Sequence, residues 1–322
     1  MRKEKMPIIL DGDPGHDDAI AWVLAFARPE LEVLGVTTVS GNAPIQRTTR
    51  NMLQIITLLG VRDTPLAQGS ERPICGEVLT AASVHGDSGL DGPRLPNPEV
   101  ELCGLGGVEL MVRLLRESTR PVTIVPTGPL TNIAGLLLSH PELKAKIAGI
   151  SLMGGGLLMG NWTPAAEFNI LADPEAAAIV FESGVPITMA GLDVTEKAYI
   201  TPDEFRRIRA VGGKVATIVA DWLEYFYQFH KKLGYPGAPL HDAVAVAALV
   251  KPEILTIREV YVQVETQGEY CRGATVADFL GREGKPPNAR AIMDIDRAAF
   301  VDLIVWAVNQ YQERREGGGA NA

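Results

Sequence analysis

The sequence predicts an α/β fold, a single large domain with a mostly parallel central sheet flanked by helices. Short apolar runs alternate with longer helix-like stretches along the chain. The strand-like runs are apolar at consecutive positions, as strands covered on both faces are. No repeat, low-complexity linker or compositional shift marks an internal boundary. Residues 1–315 are therefore expected as one domain, and 316–322, EGGGANA, as a disordered tail.

Taken in order, PIIL from Pro7 reads as the first strand and DAIAWVLAFA from Asp18 as the first helix. LEVLGVTTV from Leu31 is a strand and TTRNMLQIITLLG from Thr48 a helix. GVELMVRLLRE from Gly107 is a helix, followed by the strands PVTIVPT from Pro121 and AGISLM from Ala148. DPEAAAIVFESG from Asp173 is a helix, capped by Asp173, begun by Pro174 and closed near Gly184. PITMAGLDV from Pro186 is a strand, and Thr201-Pro202-Asp203-Glu204 is a capping box. Two stretches, Gly76 to Pro98 and Tyr227 to Pro239, read as long mobile loops, and such loops often serve as lids.

Composition narrows the function. A net charge of −9 argues against a nucleic-acid backbone or an anionic membrane as partner. No apolar run approaches the ~20 residues that span a bilayer, and the N-terminal residues hold no signal-peptide core, so a cytoplasmic location is expected. Cys75, Cys103 and Cys271 are widely spaced and odd in number, the pattern of free thiols in a reducing compartment.

The most informative stretch is DGDPGHDDA, Asp11 to Ala19, between a strand and a helix. In an open α/β sheet this is the carboxyl end of a strand, where ligands bind. A polar turn with Asp17 as helix cap is the ordinary reading of one such aspartate. Four of them beside apolar segments need neutralising, and a hard divalent cation with oxygen ligands does this better than protons. A phosphatase loop of the DxD type is the main competitor, but the ligand loops lack Lys or Arg for a phosphate and Pro14-Gly15 follows the second Asp.

DGDPGHDDA resembles the N-terminal fingerprint of the inosine-uridine-type nucleoside hydrolases. Further segments match in order along nearly the whole chain: SGN ending at Asn42, VPTGPLTN from Val125, MGGG from Met153, NWTPAAEFNI from Asn161 and LHDAVAV from Leu240. HGDSGLDGP, GNWTPAAEFN and GAPLHD are similar to the pyrimidine-preferring ribonucleoside hydrolases of that family. Gly12 stands where other members often carry a larger residue, without consequence for ligands because it offers no side chain.

The resemblance implies hydrolysis of the N-glycosidic bond of ribonucleosides, pyrimidine ones preferred, with broad inosine-uridine specificity as the alternative. It implies calcium, Ca2+, held by Asp13, Asp18, Asp242 and the backbone carbonyl of Thr127, with the ribose hydroxyls and a nucleophilic water completing the 6–8 oxygens that calcium takes. Asp13 would accept the proton of that water. Around the ribose it places Asp17, Asn42, Asn161, Glu167 and Asn169, with Met153 packed nearby. Singly, these have ordinary readings as turn, surface or core residues, and Asp242 reads as the N-cap of DAVAVAALV. A homo-oligomer, tetramer or dimer, is a family expectation that composition does not test.

The base must leave, and proton donation assists it. His241, next to Asp242, is the first candidate and His85 the second. His140 and His230 read as structural or solvated, and His16 as a bystander within the fingerprint. In the aromatic stretch Asp221 to Tyr235, Gln228 and a tyrosine are candidates for contact with a pyrimidine, against an amphipathic helix burying Trp222, Phe226 and Phe229. A non-catalytic nucleoside- or calcium-binding protein is the alternative of another class. It would need neither the base Asp13 nor the acid His241.

Overall fold

The computed structural model describes residues 4–318. Its strands are β1 (Met6–Gly12), β2 (Leu31–Thr38), β3 (Leu66–Gln68), β4 (Val122–Pro126), β5 (Ile147–Met153), β6 (Ile187–Ala190), β7 (Tyr199–Ile200), β8 (Ala238–Pro239), β9 (Leu255–Val264), β10 (Thr275–Asp278) and β11 (Ala289–Ile295). Nine of them form one sheet in the order β10-β9-β11-β6-β5-β4-β1-β2-β3. From β11 to β3 every pairing is parallel, while β9 and β10 extend that edge antiparallel. The expected mostly parallel sheet is what forms. β7 and β8 make a separate antiparallel pair.

The helices are α1 (His16–Ala27), α2 (Ile45–Leu58), α3 (Ala82–His85), α4 (Gly107–Glu117), α5 (Thr131–Ser139), α6 (Phe168–Ala172), α7 (Pro174–Phe181), α8 (Leu192–Thr195), α9 (Pro202–Ala210), α10 (Gly213–Lys232), α11 (His241–Val250) and α12 (Arg297–Gly318). They cover both faces of the sheet. Along β1, Ile8 and Leu10 join one core with residues of α1, α10, α11 and α12, while Ile9 joins a second core with residues of α4, α5 and α7. The period-2 alternation of a strand thus feeds two cores at once, and this is why these strands read as continuous apolar runs.

The sequence-based boundaries hold for most elements and fail at three. PITMAGLDV is a strand only to Ala190, because LDVT turns into α8 after Gly191. Tyr227 to Pro239 is not one long loop: α10 runs on through Lys232, leaving 233–237 irregular before β8. Helix α12 continues past Glu316 to Gly318, into the tail expected to be disordered, and the rest of that tail lies outside the described residues.

The first expected loop, 76–98, holds only the single turn α3. It is tied to the body at several points: the Asn51 side chain donates to the carbonyls of Pro14 and Ser88, and the Gln54 side chain to that of Pro96. All three cysteines are free and exposed. Among the described residues no helix is long and apolar enough to cross a membrane.

Candidate active site

Where β1, β2, β4 and β5 end, a cavity of about 440 Å³ opens, within the ~300–1,000 Å³ common for small-molecule sites. In strand order β1 lies between β4 and β2, while its helix α1 packs beside α11. The first turns of α1 and α11 bring Asp17, Asp18 and Asp242 together, with a carboxylate oxygen of each within 4.8 Å of the others. Gly15, not Asp17, is the N-cap of α1, which frees the Asp17 side chain from capping. Both helices direct positive N-terminal ends at the carboxylates, which favours their charge.

Asp13 stands beside this group. Its Oδ2 accepts the Asn42 backbone N–H at 2.6 Å. Its Oδ1, like Asp17 Oδ1, is buried without a hydrogen-bond partner among the described residues. Asp18 accepts from Gly15 N at 3.0 Å, from the Thr127 hydroxyl at 2.7 Å and from the Asn42 amide at 3.3 Å. Burial, followed by repulsion from Asp18, holds Asp13 well above the usual carboxylate range, and the same two causes push Asp17 to about 8. Asp242 is likewise raised by burial and by Asp17, Asp18 and Asp13, and Asp18 is raised chiefly by burial. These shifts reflect burial first and mutual repulsion second, neither of which the protein's own groups fully offset. Buried, unpartnered carboxylate oxygens in such a field fit a hard cation. Asp17 lies with Asp18 and Asp242 and also lines the cavity, beside the residues that the sequence reading places around the sugar.

Asp11, the remaining aspartate of the fingerprint, points elsewhere. It accepts from the Thr37 hydroxyl at 2.5 Å and the Asn132 amide at 2.7 Å, and burial brings it to about 7.

Glycines make room for this packing. A Cβ at Gly41 would lie 2.0 Å from Asp13 Oδ2, one at Gly128 2.5 Å from Asp13 Oδ1, and one at Gly12 2.6 Å from Asp18 Oδ1. Gly12 therefore matters through the space it leaves, which corrects its dismissal on sequence grounds. Gly41→Ala must displace the Asp13 carboxylate, and an error of ~1 Å at a reacting group costs roughly 10²-fold. A steady-state rate within threefold of the parent would contradict that placement.

Beside the carboxylates lie the amides. Asn169 donates its N–H2 to the carbonyl of Thr127 at 3.0 Å and to that of Met153 at 3.3 Å, which leaves its oxygen as an acceptor. Asn161 accepts the Phe168 N–H at 3.0 Å through its oxygen, which leaves its N–H2 as a donor. Glu167 caps α6 and accepts from Asn169 N, Gly155 N and Ile170 N, so its carboxylate also fixes the MGGG turn. Asn42, Thr127, Met153, Asn161, Glu167 and Asn169 all line the cavity.

The far wall is built of rings. Three of the five histidines, His85, His230 and His241, line it, and His16 stacks on His85 without lining it. His16 stacks on His85 at 5.3 Å, His85 on Phe226 at 5.2 Å, and Phe226 meets His230 edge-on at 4.4 Å, with His241 6.5 Å beyond His230. Burial lowers all four: His16, His230 and His241 fall to about 4 and His85 well below its ordinary value. His85 and His241 line the cavity as expected.

His230 lines it too, against its reading as a structural residue. Because α10 stays helical, Phe226, Phe229 and His230 share its cavity face at i, i+3 and i+4. Gln228 falls on the opposite face, exposed, and bonds back to the Glu224 carbonyl at 3.1 Å, which corrects its expected contact with a base. Glu196 and Tyr235, neither of them numbered among the site residues from sequence, complete this end, with the Tyr235 hydroxyl beside the Glu196 carboxylate. Trp222 is buried in the core, whereas Phe229 borders the cavity.

Fold and site together define a nucleoside hydrolase. The model of the family described as inosine-uridine preferring nucleoside hydrolase matches residues 8–302, and the chain belongs to that family. It is 54% identical over 308 residues to a pyrimidine-specific ribonucleoside hydrolase, RihA, of Salmonella agona, covering 95% of this chain and 99% of that one. A RihA of Shigella flexneri serotype 5b is 55% identical over the same span. Among solved structures, a purine-preferring ribonucleoside hydrolase from Gardnerella vaginalis superposes with a TM-score of 0.89 at 31% identity, covering 96% of this chain and 99% of that one.

Proposed function

We propose that the protein hydrolyses pyrimidine ribonucleosides to free base and ribose with the aid of a bound calcium ion. The observation that carries the reading is the lining of one cavity, in which buried carboxylates, ring side chains and amides with a free donor and a free acceptor meet. The pyrimidine preference is supported by the RihA relatives. Calcium is supported by the oxygen donors of Asp17, Asp18 and Asp242, with Asp13 beside them and, among the described residues, no histidine or cysteine in that group. When bound there, calcium supplies positive charge that favours deprotonation of the attacking water.

The chain's own residues do the rest. Asp13 Oδ1, held in place through Asn42 N on the other oxygen, accepts the water's proton. Asn169 accepts from a ribose hydroxyl and Asn161 donates to one. Leaving of the base builds positive charge on the sugar, and the surrounding carboxylates stabilise it. His241 is neutral at pH 7 because burial holds it at about 4, so it assists the base as a hydrogen-bond donor and not as a stored proton.

The test is release of base and ribose from uridine, cytidine and inosine without phosphate, with and without a calcium chelator. Phosphate-independent release that chelation stops, fastest on uridine or cytidine, is expected. Binding of nucleoside with no release would sink the reading in favour of a binding protein. His241→Ala is expected to slow inosine more than uridine, and equal losses would remove His241 from leaving-group assistance.

A further inference from the structure

The hydroxyl of Thr195 meets His241 Nδ1 at 2.8 Å. Thr195 closes the one-turn helix α8 and is fully buried. The β7–β8 pair and the bond from Leu240 N to the Ala198 carbonyl at 3.0 Å clamp its segment against the start of α11. Thr195 Oγ1 makes no other hydrogen bond among the described residues, and the Gly191 carbonyl one turn back already accepts from Val194 N and Thr195 N.

A buried hydroxyl has one proton to place, and leaving it unplaced is costly. His241 Nδ1 is the acceptor within reach. We infer that Thr195 is a positioning residue that donates to His241 Nδ1, so that the imidazole carries its hydrogen on Nε2 and offers a donor to the leaving base. The inference rests on the nucleosidase reading of the cavity for its consequence, but not for the tautomer itself. The opposite tautomer would strand the hydroxyl proton and turn a lone pair toward the base, where the carbonyl oxygens of a pyrimidine also present lone pairs. The choice between the two ring nitrogens is commonly fixed in this way by the bond that one of them makes.

The test begins on the wild-type protein with ¹⁵N-labelled histidine, the His241 signals being assigned by their loss in His241→Asn. A pyrrole-like Nε2 and a pyridine-like Nδ1 are expected, and the reverse pattern overturns the inference without any assay of activity. Thr195→Val removes the hydroxyl at nearly constant shape, and Thr195→Ser keeps it. Val is expected to blur the tautomer and to lower kcat on uridine about 10-fold with KM little changed, the size of one well-placed hydrogen bond. Ser is expected to restore both. Equal losses in Ser and Val, or a full kcat in Val, would show that Thr195 does not act through its hydroxyl. Failure of the wild type to release base from uridine would overturn the nucleosidase reading and with it the catalytic consequence, leaving the resonance pattern to decide the tautomer.

Discussion

Asp13→Asn is expected to lower kcat on uridine by about 10²–10⁴-fold, the range of a positioned general base. The substitution nearly preserves shape, and the oxygen that accepts the Asn42 N–H can remain in place. What it removes is a charge and a proton acceptor at an atom without a hydrogen-bond partner among the described residues. Its effect on stability should run the other way. In calcium-free protein Asp13 is deprived of water by burial and crowded by Asp18 and Asp17, so its replacement by a neutral amide removes that cost and raises the melting temperature at pH values above the ordinary carboxylate range. Loss of activity together with gain of calcium-free stability separates a chemical defect from a folding defect. A variant within tenfold of the parent in kcat would take Asp13 out of the role of base.

Calcium is expected to stabilise the protein strongly, and more so at pH 8 than at pH 5. A ligand at 100 times its dissociation constant adds about 2.7 kcal/mol, which for a chain of this size is roughly 4 °C. The sign of the pH dependence follows from the direction of the shifts. Asp17 titrates near 8 in the folded protein against its ordinary value of 3.8. Between those values the folded state holds a proton that the unfolded chain has lost. Stability from this group is thus complete below about pH 4 and is lost as pH rises through 8. Calcium takes the place of that proton, so its advantage grows over the same window. Thermal melts in chelator and in calcium at both pH values decide the matter. An equal shift at pH 5 and pH 8, or none, would contradict a carboxylate-bound cation.

The parts of the fold legible in the sequence were those with one dominant signal. β1, β2, β4, β5 and β6 are buried on both faces and so appear as unbroken apolar runs. β9 to β11 were not recognised, because LTIREVYVQV mixes charged with apolar residues along a half-exposed antiparallel edge. The carboxylate part of the site was legible because three of its aspartates, Asp13, Asp17 and Asp18, fall within DGDPGHDD and the fourth, Asp242, lies in a second short motif, LHDAVAV. The ring-lined end was not. Thr195, Glu196, His230 and Tyr235 come singly from a one-turn helix, its end, a long helix and a short connection, and no local spacing joins them. Gln228 was misplaced for a related reason: its chemistry suits a base, but which face of α10 it takes depends on how that helix packs.

The glycines around Asp13 and Asp18 bear on how such an enzyme can change over time. At the sugar end the walls press on the carboxylates closely enough that even a methyl group at Gly41 would collide with Asp13. A substitution at Gly41 is therefore expected to disturb Asp13 directly. The ring-lined part of the cavity is instead assembled from separate side chains after α8, on α10 and on the segment that follows it. New substrate ranges in this lineage should therefore arise by exchanging rings and polar tips at that wall. A related fold at 31% identity that is purine-preferring, beside relatives at 54% identity that are pyrimidine-specific, is the divergence that such a division of the cavity allows.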